Sequence, residues 1–281
     1  MSGSLPVTDL ADGYDIIGFD LDGVVYRGPD PVPNAASTIA ELRRRGIRVG
    51  FVTNNAQRSP AAVAAHLTSL GIECAQKDVV TSAQATARIM AEALPPGTQV
   101  LVLGSAALSA EIADVGLTPT ATRSPGTAAI CVGFEPTLTW SQLNEGCFAV
   151  QAGAAWYACN DDLTRPDRAG MAIGMGGILG AMKVALPGRS PVMGGKPARP
   201  LLDETARRLG GHVGDHSPPR LLFVGDRLDT DIAGANNAGW DSLFVLSGSH
   251  SMLDLETASP DQWPTYVGED LSALLTSQPK A

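Results

Sequence analysis

The stretch Ile16-Ile17-Gly18-Phe19-Asp20-Leu21-Asp22-Gly23 decides the fold. Its apolar half fits a short strand covered on both faces, and the acids that follow mark where that strand ends. The same event recurs outward along the chain. Val49-Gly50-Phe51-Val52 runs into Thr53-Asn54-Asn55, and Leu221-Leu222-Phe223-Val224 runs into Gly225-Asp226. Further apolar runs at Val100 to Leu103, Ala129 to Val132 and Leu243 to Leu246 alternate with helix-like segments at 35–45, 60–70, 82–94, 139–152, 197–209 and 232–238. Strand then helix, repeated, predicts an α/β fold with a parallel sheet. Pro/Gly-rich stretches at 94–97 and 187–195 read as linkers. Residues 97–190 are therefore expected to form an inserted domain, and 1–96 with 191–281 one discontinuous domain.

In an open parallel sheet the carboxyl ends of the strands share one edge, where ligands bind. Three polar clusters from distant parts of the chain converge there. On an extended chain Asp20 and Asp22 point to the same side with Cα atoms roughly 6.5 Å apart, while Leu21 points into the core. Close carboxylates repel unless a cation neutralises them, and Asp226 adds a third oxygen donor, so the expected ion is Mg²⁺. The EF-hand reading fails because its loop needs glycine at position 6 and Glu at position 12, whereas Gly23 comes at position 4. A P-loop fails too, since Gly195-Lys196 is followed by Pro197.

Composition narrows the class further. The 281 residues carry 20 basic and 29 acidic side chains, a net charge of −9 that gives no basic face for nucleic acid. The first twenty residues hold Asp9, Asp12, Asp15 and Asp20 and lack the pattern of a secretory signal. The apolar run Ala169 to Met182 is too short for a membrane span and is broken by five glycines. Cys74, Cys131, Cys147 and Cys159 show no metal-ligand spacing and read as reduced thiols of a cytoplasmic protein. His66, His212 and His216 read as structural or solvated, and Met171, Met175 and Met182 as packing inside the insert.

Asp20-Leu21-Asp22-Gly23-Val24-Val25-Tyr26, Thr53-Asn54-Asn55, Gly195-Lys196-Pro197 and Gly225-Asp226-Arg227-Leu228-Asp229-Thr230-Asp231-Ile232 resemble, in order, the four motifs of the haloacid dehalogenase-like phosphatases. The Tyr26 variant of the first motif and the long insert look like the class II, subclass A branch, which implies a Rossmann-like core from 1–96 and 191–281 with an inserted α/β cap domain at 97–190. Within that branch the chain is similar to actinobacterial glycerol-3-phosphate phosphatases through Asp78-Val79-Val80-Thr81-Ser82-Ala83-Gln84 and Pro264-Thr265-Tyr266-Val267-Gly268.

The resemblance implies a Mg²⁺-dependent phosphomonoester hydrolase working through an aspartyl-phosphate. Asp20 is then the nucleophile and Asp22 the acid and base. Thr53, Asn54, Asn55 and Lys196 hold the phosphoryl group, Asp20, Asp22 and Asp226 hold the metal, and Asp231 stands behind them. Asp229 reads as a helix cap or as part of the metal surroundings. Asn160, Asp162, Arg165 and Arg168 in the cap are candidates for choosing the substrate, a small phosphorylated metabolite with glycerol 3-phosphate first. A homodimer through the cap is also implied. The alternatives are a p-nitrophenyl phosphatase-type enzyme for nucleoside monophosphates, sugar phosphates or pyridoxal phosphate, and a non-catalytic protein binding a phosphometabolite or a partner.

Overall fold

A computed structural model describes residues 8–167, 169–210 and 218–281. The chain divides into two compact units, one built from residues up to Val52, Pro60–Val80 and from Thr205 onward, the other from Thr53–Ser59 and Thr81–Glu204. The second unit contains the whole expected insert. It also takes in 53–59, 81–96 and 191–204, because the helix Ser82–Ala93 packs on the helix Ala106–Asp114 and the strand Ala155–Ala158.

The first unit is organised by a six-stranded sheet in the order Tyr266–Gly268, Asp241–Val245, Leu221–Gly225, Ile16–Phe19, Arg48–Thr53, Val79–Thr81. The strand Ile16–Phe19 is central and runs parallel to both neighbours, with Phe19 level with Val224 on one side and Phe51 on the other. Every residue of that strand is buried, as its apolar run predicts for a sheet covered on both faces. Ile17, Phe19, Phe51, Leu222, Val224 and Leu243 join one core, and Phe244 points to a second with Leu228, Ile232 and Leu255. Helices supply the cover through regular stripes. Ala35, Thr38, Ile39 and Leu42 are the buried face of Ala35–Arg44, and Pro60, Val63, Ala64 and Leu67 that of Pro60–Ser69. His66 meets the edge of Tyr26 at 5.0 Å between ring centroids, the structural role expected of it.

The second unit has a five-stranded parallel sheet in the order Val192–Met193, Ala155–Ala158, Thr127–Val132, Gln99–Leu103, Thr118–Thr120. Its strands alternate sides with period two. Leu101, Leu103, Ile130 and Val132 enter one core, while Val100, Val102, Ala129 and Cys131 enter the other. Two expectations are corrected here. The stretch read as a linker at 187–195 contains an edge strand, because Val192 and Met193 complete the sheet beside Tyr157 and Ala158. Of the three methionines read as packing, Met175 and Met182 are buried on the helix Met175–Ala185, but Met171 is exposed on the hairpin Thr164–Asp167 and Gly170–Ile173.

Candidate active site

In the first unit the register of the central strands places the acids. Asp20 follows directly on Phe19, and its backbone N–H donates to the Val224 carbonyl at 2.9 Å, one step before Gly225-Asp226. Asp20, Asp226 and Asp231 each offer an oxygen within 4.8 Å of the others. Asp226 and Asp231 are buried and Asp20 is half-buried. Like charges about 4 Å apart repel by roughly 4 kcal/mol per pair near a protein surface, so the cluster favours a bound cation. An all-oxygen donor set suits a hard divalent ion such as Mg²⁺.

Asp231 also shapes the turn that carries Asp226. Its Oδ2 accepts the backbone N–H groups of Asp226 and Arg227, both at 3.1 Å. The loop Ser247–His250 braces the same acid from the other side and carries no sequence signal beyond small residues after an apolar strand. Ser249 N–H donates to Asp226 Oδ2 at 2.6 Å, and His250 N–H donates to the Asp226 carbonyl at 3.2 Å. His250 Nδ1 accepts from Leu228 N–H at 3.0 Å, which ties the loop to the turn after Asp226. A Cβ on Gly248 would sit 2.0 Å from Asp226 Oδ2, which explains a residue without a side chain there.

Two expectations from the motifs change. The chain is not extended beyond Phe19, because the Leu21 carbonyl accepts the N–H groups of Val24, Val25 and Tyr26. Leu21 is buried as expected, whereas the Asp22 side chain is exposed and stands outside the three-acid cluster. Asp229 caps no helix. It lies inside the π-helical turn Leu228–Ile232 and pairs with Arg227 at 2.7 Å.

In the second unit Thr53, Asn54, Asn160, Asp162 and Lys196 are drawn together. The Asn54 side chain accepts Lys196 N–H at 2.8 Å and donates to the Lys196 carbonyl at 3.0 Å and to Asp162 at 3.3 Å. The Asn54 carbonyl accepts from Ser82 Oγ at 2.6 Å and from Asn160 Nδ2 at 2.8 Å. Lys196 is 1% exposed, so it is not an ordinary surface lysine. A Cβ on Gly195 would meet the Cys159 carbonyl at 2.3 Å and Asn54 Oδ1 at 2.6 Å. Asn55 is exposed and its Oδ1 accepts Gln57 N–H at 2.8 Å, the local bond of a turn residue.

This arrangement has close relatives. Residues 17–118 match the haloacid dehalogenase-like hydrolases and residues 193–274 the HAD-hydrolase-like group. A D-glycerol 3-phosphate phosphatase of Mycobacterium tuberculosis is 43% identical over 94% of this chain and 72% of its own. The chain belongs to the haloacid dehalogenase-like hydrolases. A 5′-nucleotidase of Bacillus subtilis is 31% identical over 88% of this chain and 96% of its own. The crystal structure of a glycerol phosphate phosphatase from Mycobacterium tuberculosis in complex with magnesium superposes with a TM-score of 0.88. Its identity is 42%, over 95% of this chain and 78% of that one.

The remaining cap candidates of this haloacid dehalogenase-like hydrolase divide. Arg165 is half-buried with its guanidinium 4.7 Å from the centre of the Phe134 ring, a cation–π contact that holds the hairpin to its own unit. Arg168 lies outside the described residues. Two open cavities of about 510 and 530 Å³ share Tyr14 and Arg220. They lie where the first unit's strands begin, at the opposite edge from Asp20 and Asp226. Among the described residues, no helix is long and apolar enough to cross a membrane.

Proposed function

We propose that this chain hydrolyses a small phosphomonoester through an aspartyl-phosphate, with Mg²⁺ as cofactor and glycerol 3-phosphate as the first candidate substrate. The observation that carries the reading is the cluster of Asp20, Asp226 and Asp231, in a chain 43% identical to a named phosphatase. Asp20 attacks phosphorus, forming the aspartyl-phosphate bond as the ester oxygen leaves, so one hard displacement becomes two easier ones. Asp22, exposed beside the turn, gives a proton to the leaving alkoxide and then takes one from the water that cleaves the aspartyl-phosphate. Thr53 donates its hydroxyl hydrogen, Asn54 its backbone N–H and Lys196 its ammonium to the phosphoryl oxygens, where most of the charge resides. Mg²⁺ would be held by Asp20, Asp226 and the Asp22 main-chain carbonyl, with Asp231 behind, and would supply charge neutralisation.

The core of 1–96 and 191–281 carries this chemistry, and the insert of 97–190 selects the leaving group. Nucleoside monophosphates form the second substrate class, favoured by the 31% identical relative named as a 5′-nucleotidase. A homodimer through the insert is supported by Leu163, Met171 and Ile173, which are 70–73% exposed in and beside its hairpin. A cytoplasmic location is supported by four free cysteines.

The test is phosphate release in Mg²⁺ from glycerol 3-phosphate, nucleoside monophosphates, sugar phosphates and pyridoxal phosphate, with Asp20→Asn as the blank. One preferred ester and an inert Asp20→Asn enzyme are expected. Release that survives in Asp20→Asn would remove the nucleophile assignment.

A further inference from the structure

The proposed chemistry needs a threonine hydroxyl that presents its hydrogen to a phosphoryl oxygen. Such a hydroxyl rotates and both donates and accepts, so something must choose its role. In this chain Thr53 Oγ1 accepts the Asn55 N–H at 3.1 Å. One lone pair is thereby occupied, and the hydroxyl hydrogen is directed away from Asn55.

That bond depends on the orientation of the Asn54–Asn55 peptide. The peptide group is planar, so holding its carbonyl holds its N–H. The carbonyl end receives two side-chain donors, Ser82 Oγ at 2.6 Å and Asn160 Nδ2 at 2.8 Å. Both donors are buried, Ser82 fully and Asn160 to 4% exposure. Away from bulk water these bonds are strong and costly to lose. The Asn160 amide is itself set, since its Oδ1 accepts Asp162 N–H at 3.2 Å and leaves Nδ2 for the carbonyl.

From this chain of contacts we infer that Asn160 is a positioning residue. With Ser82 it locks the Asn54–Asn55 peptide so that Thr53 offers its hydroxyl hydrogen, and it does not select the leaving group. The inference rests on the reading of Thr53 as a phosphoryl-binding residue. Every phosphomonoester shares the phosphoryl group, so a fault in the lock harms all substrates alike. A specificity residue would instead change the ratio between substrates.

The experiment compares wild type, Asn160→Ala and Ser82→Ala in Mg²⁺ on glycerol 3-phosphate and p-nitrophenyl phosphate. Each variant is also made with Thr53→Val, and Asn55 amide exchange is followed by mass spectrometry or NMR. Ser82→Ala removes one oxygen only and covers the case in which Asn160→Ala folds poorly. The expected result is a fall in kcat of about 10- to 100-fold, equal on both esters. Little further loss is expected in the Thr53→Val background, because the two sites act through one hydroxyl. Asn55 exchange is expected to rise at least tenfold. A loss confined to one ester, additive losses with Thr53→Val, or unchanged Asn55 exchange would overturn the positioning role. A wild-type enzyme that releases phosphate from neither ester would instead overturn the phosphatase reading, and the inference with it.

Discussion

Asn54 grips Lys196 at both ends of one residue. Lys196 N–H donates to Asn54 Oδ1 at 2.8 Å, and Asn54 Nδ2 donates to the Lys196 carbonyl at 3.0 Å, across 142 positions of sequence. The primary amide suits this task because it carries a donor and an acceptor on one planar group. Asn54→Asp would set a carboxylate oxygen against the Lys196 carbonyl oxygen. In steady-state kinetics it is expected to lower kcat about a hundredfold through misplacement of Lys196. In urea unfolding it is expected to cost about 1–3 kcal/mol, the usual effect of a buried polar group left unsatisfied.

Gly248 packs against Asp226 with no room for a methyl group. Gly248→Ala must push the Asp226 carboxylate or the loop aside, and Mg²⁺ affinity measured by calorimetry is expected to fall at least tenfold. Gly180 is the control. It is exposed inside the helix Met175–Ala185 and a Cβ there meets nothing within 4 Å. Gly180→Ala is expected to leave Mg²⁺ binding unchanged and to stabilise the protein by about 0.5–1 kcal/mol.

Cys74, Cys131 and Cys147 are held in the thiol form in the native state. Burial, reinforced by the charge of Asp78 and opposed by Arg43, pushes the Cys74 thiol up to about 12. Cys147 is raised by burial, and Cys131 by its contact with Cys159 together with burial. Thiolate is the reactive form. Titration with an aromatic disulfide at pH 8 is expected to leave Cys74, Cys131 and Cys147 unmodified in the native protein, and to modify them within minutes after denaturation. Rapid native labelling of Cys74 would contradict its burial against the core.

Asp15 ties the start of the central strand to the start of its neighbour. It accepts Arg220 N–H at 2.8 Å, and this bond, opposed by partial burial and helped by the Arg220 and Arg48 charges, holds its carboxyl below the usual range. The folded value lies below the unfolded one, so the contribution is present above about pH 4 and is lost as pH falls through the folded value. The side chain is 38% exposed, which limits the contribution to about 1 kcal/mol or less. Asp15→Asn is expected to lower Tm at pH 7 and to match the native chain at pH 2, as measured by thermal scans. An equal deficit at both pH values would assign the effect to shape and not to charge.

The strand Ile16–Phe19, its partners beginning at Arg48 and Leu221, and the acids after them were legible in the amino-acid order. Their signals are local: an apolar run covered on both faces, then Asp20 or Gly225-Asp226 where the run stops. The family motifs were legible for the same reason, since each is a short word at the end of a strand. Tertiary structure alone decided which side chains meet. Asp231 turned back to bind the N–H groups of Asp226 and Arg227, and Ser249 and His250 closed on Asp226 from more than twenty residues away. Asn160 and Ser82 met on the Asn54 carbonyl, and Lys196 went under cover instead of to the surface. Periodicity reports which face of an element is apolar. It carries no information on which polar groups find one another across 100 residues or more, because those pairings follow from packing and from the cost of burying a donor or acceptor unpaired.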